Sequence, residues 1–256
     1  MLASSSVLAN DADSFIWWQW ISRNSDEIWN ATVEHLQLTL LTVAIGVVLA
    51  AILSAIAIRF RFTATPILWA SGLVYTVPSI ALFGFLVPRL GLGYRTALVA
   101  LVGYTLVILV RNMIAGIDGV PATVKEAATA MGLTPWRRFW SVELPLALPT
   151  IMAGIRIATV GTVGLVTISA LVGEGGYGAL INNGLSRQNF STPIVVGAFL
   201  SIVMALVLDL LLWATQRALT PWERAGRSGR ASRRERADRS TPASAPTPAT
   251  PVGSAA

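Results

Sequence analysis

Only 12% of the 256 residues are charged, so a charge inside an apolar run is a candidate for chemistry. Arg156 stands five residues into the run Ile151–Val172, and Asp209 five residues before the end of the run Pro193–Ala214. Opposite charges at matching depth can pair and share an inner gate, or Arg156 can instead snorkel to the headgroups. Tyr75, Tyr104 and Trp69 present aromatic faces that could line a route and make cation–π contact, with helix packing or lipid contact as the plainer role. Groups for covalent or metal chemistry are scarce: one His (His35), one Lys (Lys125) and no Cys. Disulfides, Cys-based zinc sites and iron–sulfur clusters are thereby excluded, and His35 has no nearby catalytic or ligating partner in the sequence. No G-x-x-x-x-G-K-[ST] loop is present to cradle a phosphate. Gly173, Gly175 and Gly178 fit G-x-G-x-x-G, but they follow an apolar run and not a strand, which predicts a flexible external turn or gate instead of a dinucleotide site. No catalytic residue and no metal ligand is assigned, which sets an intramembrane enzyme aside.

The elements that must position these residues are membrane helices. Mean hydropathy is +0.64, far from the balance of a soluble domain. Leu36–Ile58 gives 23 residues without an Asp, Glu, Lys or Arg, enough to cross hydrocarbon as a helix. Further spans are predicted over 66–87, kinked at Pro78, over 96–117 with Arg111 reaching for headgroups, over 151–172 and over 193–214. The expected fold is therefore an all-α integral membrane protein of about five transmembrane helices. With the N-terminus outside, fourteen Lys and Arg fall on inner segments and four on outer ones, leaving Arg156 in its span. Eight of those fourteen are arginines after Thr215, and the other six still exceed the outer four. The C-terminus then lies in the cytoplasm.

Residues 1–35 lack the pattern of a signal peptide. Trp17, Trp18, Trp20 and Trp29 among Asp26, Glu27 and Glu34 predict an external segment with its rings at headgroup level, or a docking surface for an external partner. Residues 219–256 form a basic, Pro-, Ala-, Ser- and Thr-rich tail expected to be disordered and drawn to anionic lipid. The sequence pI of about 10.7 thus points to membrane lipid and not to nucleic acid.

The segment 118–150 between the third and fourth spans is the longest inner loop, and it is patterned. Thr123 and Glu126 have the spacing of a capping box, and Val124, Ala127, Ala128 and Met131 form an apolar stripe. Gly132 is a helix stop, and Thr134-Pro135 starts a second helix with Trp136, Phe139 and Trp140 as its apolar face, which Pro145 should end.

Glu126-Ala127-Ala128, three residues, Gly132, nine residues and Val142-Glu143-Leu144-Pro145 resemble the EAA motif of permease subunits of bacterial ABC importers, E-A-A-x3-G-x9-I-x-L-P. Val142 replaces the Ile. The resemblance extends over roughly Leu36 to Ala218, taken as the transmembrane domain 36–218. Thr76–Leu82, Leu144–Pro149 with Ile151–Arg156, and Ala170–Gly178 are similar to the branch that imports the osmoprotectants glycine betaine, carnitine and choline. The resemblance implies that Glu126, Ala127, Ala128, Met131, Gly132, Leu144 and Pro145 contact a separate ABC ATPase subunit, the first helix of the loop being a coupling helix. It further implies that ATP and Mg are bound by that partner, not by this chain. It also implies a second permease subunit, identical or paralogous, an external solute-binding protein, and residence in the bacterial cytoplasmic membrane. A permease for another small nutrient, such as an amino acid, is the alternative, and a non-transporting scaffold is a third reading that the motif argues against.

Overall fold

A computed structural model describes residues 16–173, 175–187 and 190–222, and every described element is helical. The chain divides into two compact units, Met1–Gln216 and Arg217–Ala256. The basic tail from Arg224 onward lies outside the described residues.

A short helix α1 (Trp18–Arg23) leads into α2 (Ser25–Arg59), 35 residues and so about 52 Å long. It starts eleven residues before the apolar run, at an acidic first turn of Asp26 and Glu27 that suits the positive end of a helix dipole. α3 (Ala64–Thr76) and α4 (Ser79–Leu90) follow, then α5 (Tyr94–Asp118). The loop carries α6 (Ala122–Ala130) and α7 (Pro135–Arg138), then a π-helical turn Phe139–Glu143. α8 (Leu144–Ile168), α9 (Tyr177–Ser186) and α10 (Ser191–Leu219) complete the order.

Among the described residues, four helical stretches are long and apolar enough to cross a membrane alone, and α3 with α4 passes as a fifth only as a pair bent by 96°. The expected kink at Pro78 is thus a full break. Pro78 has no N–H to give and pushes its predecessor out of the helical region, so Val77 is extended at φ −73°, ψ 128°. A second correction concerns Pro145. It does not end a helix, because the π turn immediately before it shifts the hydrogen-bonding register and Pro145 falls in the first turn of α8, where its missing N–H costs little. Pro135 to Val172 is consequently one helical stretch of 38 residues.

α5 is the centre of the bundle. Its Ala97, Ala100 and Leu101 pack with Leu38 of α2, Phe83 of α4 and Val166 of α8. One level along, Leu109, Val110, Met113 and Ile114 meet Ala50 and Ala57 of α2 and Ala158 of α8. Small residues on the facing helices let backbones approach closely, which is how helices associate where lipid is as apolar as the side chains. α10 joins through Met204 and Leu208 against Ala31, Val163 and Leu180, while Leu206, Leu210 and Leu211 stay exposed. Of the four tryptophans in the N-terminal segment, Trp18 and Trp29 are exposed. Trp20 is buried, and Trp17 and Trp20 pack edge-on against Phe190 at 6.1 and 5.9 Å. The backbone N–H of Trp17 also donates to Thr192 Oγ1 at 2.9 Å. These rings pack against the residue that leads into α10.

Candidate functional site

The loop residues come first. α6 begins at Ala122 with Pro121 as N-cap and no side-chain cap, so the capping box of Thr123 and Glu126 does not form. The break Gly119-Val120-Pro121 starts the helix two residues too early for it, and Glu126 is left exposed. The C-terminal reading of the loop sequence does hold. Gly132 takes φ +79°, its N–H donates to Thr129 O at 2.9 Å, and Leu133 N–H donates to Ala128 O at 3.2 Å. Those two bonds are the paired closure that a left-handed residue permits, and they satisfy carbonyls left over at the helix end. The apolar stripe divides: Ala128 is buried and Val124 half-buried, whereas Ala127 and Met131 face outward, Met131 at 80% exposure.

Thr134 caps α7 as expected, accepting from Arg137 N–H at 3.4 Å. Of the expected apolar face only Phe139 packs inward, against Ile117, Val120 and Ala147. Trp136 and Trp140 meet edge-to-face at 5.6 Å and are both exposed. Leu144 and Pro145 are half-buried at the start of α8, beyond the π turn. One residue missing from the sequence reading binds this assembly together. Arg138 Nε donates to Glu143 Oε1 at 2.7 Å, and its Nη1 donates to Thr129 Oγ1 at 2.9 Å. Glu143 is buried, so α6 is fastened to the root of α8 through a guanidinium whose planar fork holds two partners at once. Beside it Lys125, Glu126, Thr129, Ala130 and Arg138 line an open cleft of about 310 Å³. Lys125 Nζ donates to Ile117 O at 3.2 Å and so closes the last turn of α5.

Arg156 and Asp209 form a bidentate pair: Nε donates to Oδ1 and Nη2 to Oδ2, each at 2.7 Å. The pair joins α8 to α10, and both side chains are about 70% covered.

Tyr75 and Tyr104 meet edge-to-face at 5.9 Å beside the break between α3 and α4. The Tyr104 hydroxyl donates to Val77 O, the carbonyl that the break leaves without a helical partner. Trp69 is exposed on the outer face of α3.

At the other end of the bundle the glycine-rich turn differs from the flexible segment expected of it. Gly175 and Gly176 N–H groups donate to Glu34 Oε1 at 2.9 and 3.1 Å. A Cβ at Gly178 would lie 2.0 Å from Thr167 O, so this turn is packed directly on the α8 backbone. His35, which sequence reasoning left without partners, is fully buried. Its Nδ1 accepts from Tyr177 N–H at 3.4 Å, which puts the ring proton on Nε2, facing Val163 O at 3.1 Å. No local pattern announces this clasp, since its halves are some 140 residues apart. The one sequence hint is an acid and a histidine adjacent at the mouth of an apolar run. Among the described residues, no three His, Asp or Glu side chains group closely enough to hold a metal ion.

Comparison with known proteins puts a family to this geometry. Residues 37–221 match the model of the binding-protein-dependent transport system inner membrane component. The osmoprotectant import permease protein OsmW of Salmonella typhimurium is 37% identical over 203 residues, covering 77% of this chain and 94% of the relative. The glycine betaine/carnitine/choline transport system permease protein OpuCB of Bacillus subtilis is 36% identical over 203 residues, 78% and 92%. In fold, the chain is similar to the inward-facing MetNI methionine ABC transporter at a TM-score of 0.68 and 20% identity, covering 77% of this chain and 98% of that one. An amino acid ABC transporter crystallised with histidines gives a TM-score of 0.66 at 18% identity, covering 78% and 98%. The match over 185 residues of this chain, together with relatives aligned over nearly their full length, decides the matter: the chain belongs to the family of binding-protein-dependent transport system inner membrane components.

Proposed function

We propose that this subunit carries a small quaternary amine such as glycine betaine, choline or carnitine across the membrane, with its N-terminus outside and its C-terminus in the cytoplasm. A separate ABC ATPase, which binds ATP and Mg, docks on α6 as the coupling helix, a second permease subunit completes the pathway, and an external binding protein delivers the solute. The named activities of the relatives OsmW and OpuCB support the substrate class. The observation that carries the coupling role is the construction of α6: a helix closed by Gly132, with Glu126, Ala127 and Met131 turned outward and its inner side fastened through Arg138 to the root of α8. A rigid helix of this kind transmits a push without absorbing it. ATP-driven closure of the ATPase then tilts α8, and with it α10 through the Arg156–Asp209 pair at an inner gate.

The test is reconstitution of the chain in proteoliposomes with its ATPase and binding protein, measuring ATP-driven uptake of labelled betaine, choline and an amino acid. Quaternary amine uptake should exceed amino acid uptake, and Glu126→Ala or Gly132→Ala should weaken ATPase association and lower uptake by about tenfold. Unchanged association and uptake in both variants would defeat the coupling role, and preferential amino acid uptake would select the other substrate class.

A further inference from the structure

Beside the break between α3 and α4 lies a cavity of about 330 Å³, inside the range of about 300–1,000 Å³ usual for small-molecule sites. Its wall is formed by Tyr75, Thr76, Tyr104, Thr105, Gly161 and Thr162, with the exposed backbone of the break, and it contains no Asp, Glu, Lys, Arg or His. The protons of its three threonine hydroxyls are already spent, while those of Ser79 and Tyr75 are not. Thr76 donates to Leu73 O at 2.8 Å, Thr105 to Val102 O at 2.8 Å and Thr162 to Ala158 O at 2.7 Å. A hydroxyl whose proton is turned into its own helix has only lone pairs left to offer. Tyr104, tied through its hydroxyl to Val77 O, is held in place, and the Tyr75 ring stands across it at 73°. The lining therefore offers two aromatic rings and threonine lone pairs among apolar side chains, without a formal charge of either sign.

We infer that this cavity is a transient binding site for the alkylammonium head of the solute, held by the Tyr75 and Tyr104 rings and by hydroxyl and carbonyl lone pairs. The inference rests on the quaternary amine reading above and deepens it. A cation with no N–H donors gains nothing from a carboxylate's directional hydrogen bonds, but is attracted by aromatic faces and a diffuse negative potential. The missing counter-ion also keeps binding weak, as a site on a route must be if the solute is to leave it. Gly161 is the residue that leaves room, because a Cβ there would meet no atom within 4 Å.

The complex of permease and ATPase, without binding protein, is titrated with tetramethylammonium, and saturation transfer from protein to its methyl groups is followed by NMR. Wild type and Tyr75→Phe should bind alike, Tyr75→Leu about tenfold more weakly, and Gly161→Val should lose the signal by filling the cavity. The neutral carbon isostere of choline, 3,3-dimethylbutan-1-ol, should not compete. Equal binding by wild type, Y75L and G161V, or equal competition by the neutral isostere, overturns the site. In the reconstituted transporter, Y75L should lower betaine uptake several-fold while ATPase stimulation by loaded binding protein stays within about twofold, since the binding protein and ATPase contacts lie elsewhere. A transporter that takes up no quaternary amine, yet whose tetramethylammonium signal still depends on Tyr75 and Gly161, overturns the substrate reading and leaves the cavity's chemistry standing.

Discussion

Arg156 and Asp209 illustrate what a single pair of residues can fix. Two bonds of 2.7 Å between α8 and α10 set the rotation of both helices, since the pair forms only when both side chains point at one another. Removing one partner strands a charge at membrane depth. Asp209→Asn or Arg156→Ala is expected to cost about 2–3 kcal/mol, below the usual loss for a fully buried pair because both side chains keep more than a quarter of their surface. Thermal unfolding of the detergent-solubilised transporter should fall by roughly 5–10 °C, and the exchange Arg156→Asp with Asp209→Arg should recover part of it. An exchange no better than either single change would show that the pair has no coupling of its own. This partnership was legible in the sequence because charges within apolar runs are few, and depth can be counted from the ends of the runs. His35 was not legible. Its burial follows from Tyr177 and Val163, which arrive from distant segments, and no periodicity near His35 foretells them.

At the scale of the element, the loop between α5 and α8 works through its joints. The sequence located α6, its glycine stop and the Thr134-Pro135 start, because caps are local chemistry read within four residues. It misplaced the start of α6 and the end of the second helix, because a Pro145 that breaks an α-helix is tolerated after a π turn, and a π turn has no sequence signature of its own. That turn also brings Glu143 round to Arg138. Arg138→Met keeps the length of the side chain and loses both bonds, so it separates docking from transmission. ATPase association should stay within about twofold, because Glu126 and Met131 are untouched, while transported solute per ATP hydrolysed falls by about three- to tenfold. Arg138→Lys, which can satisfy one partner but not both, should fall between. The ratio of uptake to hydrolysis is the quantity to measure, and a ratio equal to wild type in Arg138→Met would remove the relay.

For the whole molecule, the count of apolar runs was the most legible feature, since hydrocarbon thickness imposes a length that folding cannot alter. The 96° break was less so, as a proline reports that a helix is interrupted but not where the next half will pack; Phe83 of α4, seated among Leu38, Ala97 and Val166, decides that. The proposed orientation rests on the basic residues of the segments read as inner, and seven of them, Arg59, Arg61, Arg111, Lys125, Arg137, Arg138 and Arg217, stand in the described part of the chain. The absence of cysteine makes this directly measurable, because any thiol introduced is the only one present. Ser22, Ser141 and Ser186 are exposed and lie at the start of the bundle, in the π turn and at the end of α9. In intact cells a membrane-impermeant maleimide should label Ser22→Cys and Ser186→Cys, and should reach Ser141→Cys only after permeabilisation. Ser141 carries the greatest weight: if α6 is to meet an ATPase fed by cytoplasmic ATP, its neighbouring turn must be inside. Labelling of Ser141→Cys in sealed cells, with Ser186→Cys protected, would invert the molecule and place α6 where no ATPase could drive it.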